Sequence, residues 1–362
     1  MKIGILTQPL GTNYGGILQN YALQQVLLQR GYTVLTLDTG LYSWRKWLWN
    51  CVKVYIKRLL GRSEKMPISP KAYIKRCVPL RRFVSSHIAV TPSRVKHLNA
   101  SVIKRYGLEC LIVGSDQVWR SIYNSPIQNM YLDFAANIPI CKIAYAASFG
   151  TSQWEYSEEQ QCQCAKYAQK FTAISVREKS GVELCKTYLN VDATWVLDPT
   201  LLLQAHDYNK LLTDTQRPTS EAVMFVYMLD LSKEKLAVCK ALAQQFGLSL
   251  NVVSAGNAIK EEDSVEAWLS KFRDATYVIT DSFHGTVFSI LNHKNFVVFS
   301  NPHRGEERMT SLLELLGLQS RHVRGVQFPS NTLTENIDWE QVDELLEQQR
   351  RSSLNFLYKA LV

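Results

Sequence analysis

Short apolar runs alternate with stretches of helical period along nearly the whole chain. Residues 3–6, 33–37, 111–113, 142–146 and 173–176 are mostly apolar on both faces, and small or polar residues follow each. Strands that are greasy on both sides belong in parallel sheets covered by helices above and below. The pattern predicts one doubly wound α/β domain over residues 1–203. A polar connector, 204–221, leads into a second alternation. Strands are predicted at 223–228, 250–253, 277–279 and 296–299, with helices at 232–246, 264–273 and 285–292. That makes a second Rossmann-like domain over 204–338, and an amphipathic helix at 339–358 occupies the C-terminal element, 339–362. The fold class predicted is α/β, with two Rossmann-like doubly wound domains facing a cleft.

Open α/β sheets bind ligands beyond the carboxyl ends of their strands, so the residues directly after the strands are the candidates for chemistry. Residues 277–286 read YVITDSFHGT. A strand ends there, Asp281 or Ser282 can cap, and a helix begins near Gly285. Its free N–H groups and positive dipole end suit an anion, which makes Ser282, His284 and Gly285 candidate anion binders. Arg177 follows the strand at 173–176, where a guanidinium can fork onto a carboxylate or phosphate. Residues 301–308, NPHRGEER, add His303, Arg304 and Arg308 after another strand. Asp116 and Trp119 sit in GSDQVW, after the strand at 111–113. A carboxylate and an indole at a cleft lip suit a sugar, and Asp116 could act as a general base; capping for Asp116 and a core position for Trp119 are the other reading. The loop GTNYGG at 11–16 has the glycines of a phosphate cradle. It lacks the lysine and the serine or threonine of a nucleotide-binding loop. Its amides suit neutral hydroxyls, so Asn13, Tyr14 and Gln19 are candidate acceptor contacts.

Composition narrows the partners. A net charge of +9 favours something anionic. The basic residues are spread and no nucleic-acid-binding motif occurs, which argues against nucleic acid. Eight cysteines without a C-x-x-C pair read as reduced thiols of a cytoplasmic protein. No metal-ligand cluster is visible at suitable spacing, so no metal is expected. No apolar stretch reaches the ~20 residues needed to span a bilayer. Residues 44–60 carry apolar side chains at helical spacing with Arg45, Lys46, Lys53, Lys57 and Arg58 largely off the stripe. Such a helix suits an anionic membrane surface at its inner, cytoplasmic face; a lid, a core helix or a dimer contact is the alternative.

Six stretches in register, GTNYGGILQNYALQ, LIVGSDQVW, YAASFG, ISVREKSG, VLDPTLLL and TDSFHGTVFSI, resemble the polysaccharide pyruvyl transferase family across residues 1–320. The resemblance implies a glycosyltransferase-B-like pair of domains. It implies transfer of the enolpyruvyl carbons of phosphoenolpyruvate onto two hydroxyls of a sugar, forming a cyclic ketal, with phosphoenolpyruvate as co-substrate and no other cofactor. The family's basic donor pocket maps onto Arg177 and His284. His284 would serve the leaving phosphate and Asp116 the hydroxyl deprotonation, with Arg177 and Arg308 as further cations. The acceptor would be a sugar, and a lipid-pyrophosphate-linked one would make a membrane helix useful. A nucleotide-sugar-dependent glycosyltransferase of the same shape and a non-enzymatic glycan-binding protein are the rival readings.

Overall fold

The computed structural model describes residues 1–40, 44–59, 61, 66–212, 221–254, 263–301 and 304–362, without the side chains of residues 45 and 46. The first sheet contains β1 (Lys2–Leu6), β2 (Thr33–Thr36), β3 (Cys110–Asp116), β4 (Cys141–Ala147), β5 (Ala173–Val176) and β6 (Thr194–Trp195). Its order is β2-β1-β3-β4-β5-β6, and every pairing is parallel. The second contains β7 (Val223–Met228), β8 (Ser249–Ser254), β9 (Tyr277–Thr280), β10 (Asn295–Phe299) and β11 (His322–Val323), in the order β11-β10-β9-β7-β8. It too is parallel throughout. The apolar runs therefore form parallel strands; the inner ones are buried, whereas the edge strands β2 and β8 are partly exposed.

The helices used below are α1 (Tyr14–Gln29), α2 (Trp44–Leu59), α3 (Pro70–His87), α4 (Glu158–Ala168), α5 (Lys233–Gln245), α6 (Val265–Asp274), α7 (Phe283–Leu291), α8 (Glu307–Leu315) and α9 (Trp339–Ala360). Serines cap α4, α5, α6 and α7, each side chain accepting from a first-turn N–H. This explains why those helices start where they do. The sequence pattern assigns no element to 70–87. Pro79 stands inside that helix and breaks the usual helix signature.

Strand order reverses between β1 and β3 in one sheet and between β7 and β9 in the other. Each reversal opens a crevice at the strand ends, and the two crevices face each other. Apolar packing is continuous between the lobes: Tyr14 and Tyr21 of the first share a cluster with Trp268 and Phe288 of the second. The last helix crosses the boundary. At its start Trp339 stacks on His293 of the second lobe; further on, Arg350 Nε donates to Leu201 O at 2.8 Å and Ser353 Oγ accepts from Leu197 N at 3.0 Å. Arg350→Ala strands a buried carbonyl and is expected to cost about 1–3 kcal/mol, measurable as a lower midpoint in thermal or urea unfolding.

Candidate functional site

The crevices merge into a cleft of about 460 Å³. From the first lobe Gln8, Thr12 and Asn13 reach it after β1, with Asp116 at the end of β3 and Gln117 just after it; from the second come Leu229 after β7, and Ser282, Phe283 and His284 after β9. Arg304, Arg308 and Tyr73 are also among the residues that line it.

His284 lies in the first turn of α7, which begins at Phe283, two residues before the start near Gly285 that the sequence pattern predicts. Ser282 is the cap, its Oγ accepting from Gly285 N at 3.3 Å. Asp281 is used elsewhere: it accepts from the N–H groups of Leu229 and Asp230 and from Lys235. The His284 ring leans on Gly15 of α1. A Cβ there would lie 1.9 Å from its Nδ1, so glycine is what allows the lobes to close on this histidine. Its Nε2 is buried without a hydrogen-bond partner, 3.8 Å from Asp198 Oδ1.

Behind the cleft lies an ion-pair cluster. Arg177 Nη1 donates to Asp198 Oδ2 at 2.5 Å and Nη2 to Asp116 Oδ1 at 3.2 Å. Arg308 Nη1 stands 3.6 Å from the same Asp116 oxygen. Both guanidiniums rest on the ring of Phe283, at 4.9 and 5.4 Å from its centroid. Burial alone would raise the Asp198 carboxyl, but Arg177 and His284 outweigh it and hold it far below the usual carboxylate range. Asp116 is held low in the same way, by Arg177, Arg308 and His284 against burial. Its backbone has φ 72°, a left-handed conformation that aspartate tolerates better than most residues. Burial, and then the like charge of Arg177, push Arg308 down to about 10. Burial raises Glu178 despite both arginines.

The sequence candidates are distributed unevenly. Asn13, Asp116, Ser282, His284, Arg304 and Arg308 line the cleft. Arg177 does not; it is sealed beneath it, its charge engaged by the two aspartates. Trp119 is corrected from sugar platform to core: it is buried, stacks on Tyr131 and donates its indole N–H to Met130 O. Gln19 is corrected likewise. Its amide joins Thr7 Oγ1, Gly16 O and Ser115 N in the interior. Tyr14 is corrected to a lobe-to-lobe contact, stacked on Trp268 with its hydroxyl donating to Asp263 O. Gly285 faces the sheet and not a ligand, since a Cβ there would strike Thr280 Oγ1 at 2.2 Å. His303 lies outside the described residues. Arg304 makes a two-pronged contact with Asp230. The sequence reading missed Asp198, Gly15 and Phe283. Asp198 did carry a signal, as an acidic residue directly after the apolar run Trp195-Val196-Leu197, but it reads equally well as the start of a connector.

A profile of the polysaccharide pyruvyl transferase family matches residues 13–303. The chain belongs to the polysaccharide pyruvyl transferase family. The span that the chain shares with the profile holds Asn13, Asp116, Arg177, Asp198 and His284. No curated protein matches the sequence. Among solved structures, a UDP-GlcNAc 2-epimerase from Neisseria meningitidis bound to UDP-GlcNAc aligns over 100% of this chain and 99% of its own, at 9% identity and a TM-score of 0.53. A UDP-N-acetylglucosamine 2-epimerase from Rickettsia bellii covers 99% and 96%, at 10% identity and 0.52. A ugt transferase from Siraitia grosvenorii in complex with UDP covers 100% of both, at 11% identity and 0.51. At such identities the likeness is one of fold: two parallel-sheet α/β domains of glycosyltransferase-B type.

Proposed function

We propose that this protein moves the enolpyruvyl group of phosphoenolpyruvate onto two hydroxyls of a sugar, making a pyruvate ketal for a surface polysaccharide. The observation that carries the reading is a convergence of anion-seeking groups at one end of the cleft. Asn13 caps α1 with its backbone only; its side chain is turned to Asp116. The first-turn N–H groups of α1 thus have no side-chain cap and face the amino end of α7 across the Gly15–His284 contact. Arg308, a buried cation crowded by another, lies on the same wall. An anion carrying both phosphate and carboxylate relieves that crowding.

The donor's methylene carbon takes up a proton and its neighbouring carbon becomes electrophilic. One sugar hydroxyl adds there, the bond to the phosphate oxygen breaks, and the second hydroxyl closes the ring. Of the two hydroxyl protons displaced, one balances the new methyl group and the other leaves on phosphate. His284, in the first turn of α7 at the cleft wall, serves the departing phosphate in this reading. Asp116, held as a carboxylate and reaching the cleft, accepts hydrogen bonds from the sugar; its depressed basicity makes it a better anchor than base. Arg177 works as a positioning residue, fixing Asp116 and Asp198.

Thermal unfolding should show stabilisation by phosphoenolpyruvate exceeding that by UDP or GDP, and inorganic phosphate should appear once a sugar with free neighbouring hydroxyls is added. Arg308→Met is expected to weaken phosphoenolpyruvate binding about 10-fold or more, the worth of one charge-assisted hydrogen bond. Stabilisation by UDP or GDP alone would replace this reading with that of a nucleotide-sugar transferase.

A further inference from the structure

Basic residues occur along the whole chain, but they are offset by acidic ones everywhere except in one stretch, where the net positive charge collects. Residues 44–82 hold twelve lysines and arginines against one acidic residue, a surplus of eleven; the rest of the chain holds 29 against 31 and is slightly acidic. The same stretch, helices α2 and α3 with their connection, holds most of the exposed large apolar side chains among the described residues: Trp44 (62% exposed), Trp49 (63%) and Leu59 (71%) on α2, Met66 and Ile68 between the helices, and Ile74 and Val78 on α3.

The two helices are built for this. At about 100° per residue, α2 has two apolar faces. Trp47, Cys51 and Val54 make a narrow one that turns inward, with Val54 buried and the Trp47 indole donating to Pro67 O at 3.2 Å. The broader one, with Trp44, Leu48, Val52, Tyr55 and Leu59, faces solvent. Lys53 stands beside it, its ammonium 5.9 Å from the Trp49 ring. The outward face of α3 alternates Ile74 and Val78 with Lys71, Lys75 and Arg82. Exposed tryptophans flanked by lysines match the boundary between lipid headgroups and acyl chains.

We infer that α2 and α3 form a docking face for a bilayer surface bearing anionic lipid. Charge selects that occupant. A second copy docking through the same face would set two basic surfaces against each other. Nucleic acid would match the charge but leave the tryptophan and leucine stripe in water. Each basic residue near an anionic leaflet is drawn to it, so this surplus, joined to apolar insertion, suits reversible attachment. The inference stands apart from the pyruvyl reading. One corollary rests on that reading: Tyr73, on α3, lines the cleft, so a docked molecule holds its cleft beside the headgroups, where an acceptor carried on a lipid would present its sugar.

Flotation with vesicles tests the docking without reference to activity. The full chain should float with an equal mixture of phosphatidylcholine and phosphatidylglycerol, scarcely float with phosphatidylcholine alone, and be released by salt. A Trp44→Ser, Trp49→Ser, Leu59→Ser triple variant alters exposed side chains only and should keep the wild-type melting temperature. It should lose at least ~10-fold in bound fraction. Lys53→Glu with Lys75→Glu should lose binding to the mixed vesicles specifically. Equal flotation of wild type and triple variant overturns the inference. So does duplex DNA or RNA binding that survives the triple variant in the absence of lipid binding, or a dimer in sedimentation that the triple variant dissolves.

Discussion

Gly15→Ala is expected to reduce turnover by ~10²-fold or more, although helix propensity alone would have it stabilise α1 by about 0.5–1 kcal/mol. The added methyl carbon would sit 1.9 Å from Nδ1 and 2.2 Å from Cγ of His284. That ring is buried and lies edge-on to Phe283, at 83° between planes. Relief requires the ring to leave its place or the lobes to part by about an ångström. Either displaces the group that serves the phosphate, and a shift of that size costs about two orders of magnitude in rate. The measurement is phosphate release from phosphoenolpyruvate in the presence of acceptor, with a melting curve as the folding control. Combining Gly15→Ala with His284→Ala should add little to His284→Ala alone, because both remove the same contribution. Wild-type turnover in Gly15→Ala would show that the close approach has no catalytic use.

Asp198→Asn is expected to be the most damaging single change to stability, at about 3–5 kcal/mol and a fall of roughly 10 °C in midpoint. The side chain is buried and accepts from Arg177, from Ser115 Oγ at 3.2 Å, and from the N–H and hydroxyl of Thr200 at 3.0 and 2.6 Å. An amide keeps the shape, but it turns an NH2 toward donors and leaves Arg177 with Asp116 as its remaining carboxylate. Acid titration carries the same signature. In the folded protein Asp198 and Asp116 are held below their ordinary range, so the unfolded chain binds protons first as pH falls below about 4. Their stabilisation is complete above that pH and drains away as pH drops toward the folded values. Wild type should therefore show a steep acid limb and the Asp198→Asn variant a shallower one. Glu178, raised by burial, acts with the opposite sign. Identical acid limbs would mean that the cluster carries no such linkage.

The sheets were legible because their strands are unbroken apolar runs, and strand ends located the cleft because parallel sheets leave their ligand crevices there. Asp116, His284 and Arg308 could be found by that rule. The rule does not tell a residue at the cleft wall from one beneath it. Arg177 follows β5 as Asp116 ends β3, but pairing with Asp198 draws it under the floor. Trp119 and Gln19 misled for a related reason: an indole with its N–H satisfied and an amide with all its bonds made inside are as much at home in a core as in a sugar site. The contact between Gly15 and His284 joins residues far apart in the chain, and no local pattern announces it.

The route taken by α9 sets the order in which the protein can be finished. Its later turns supply the partners of Leu197 N and Leu201 O, which belong to the first lobe. Translation delivers those turns only after both lobes, so the lobe synthesised first waits with open backbone groups until α9 clears the ribosome. Stalled or prematurely ended chains should accordingly depend on chaperones and fall to proteases through their amino-terminal half.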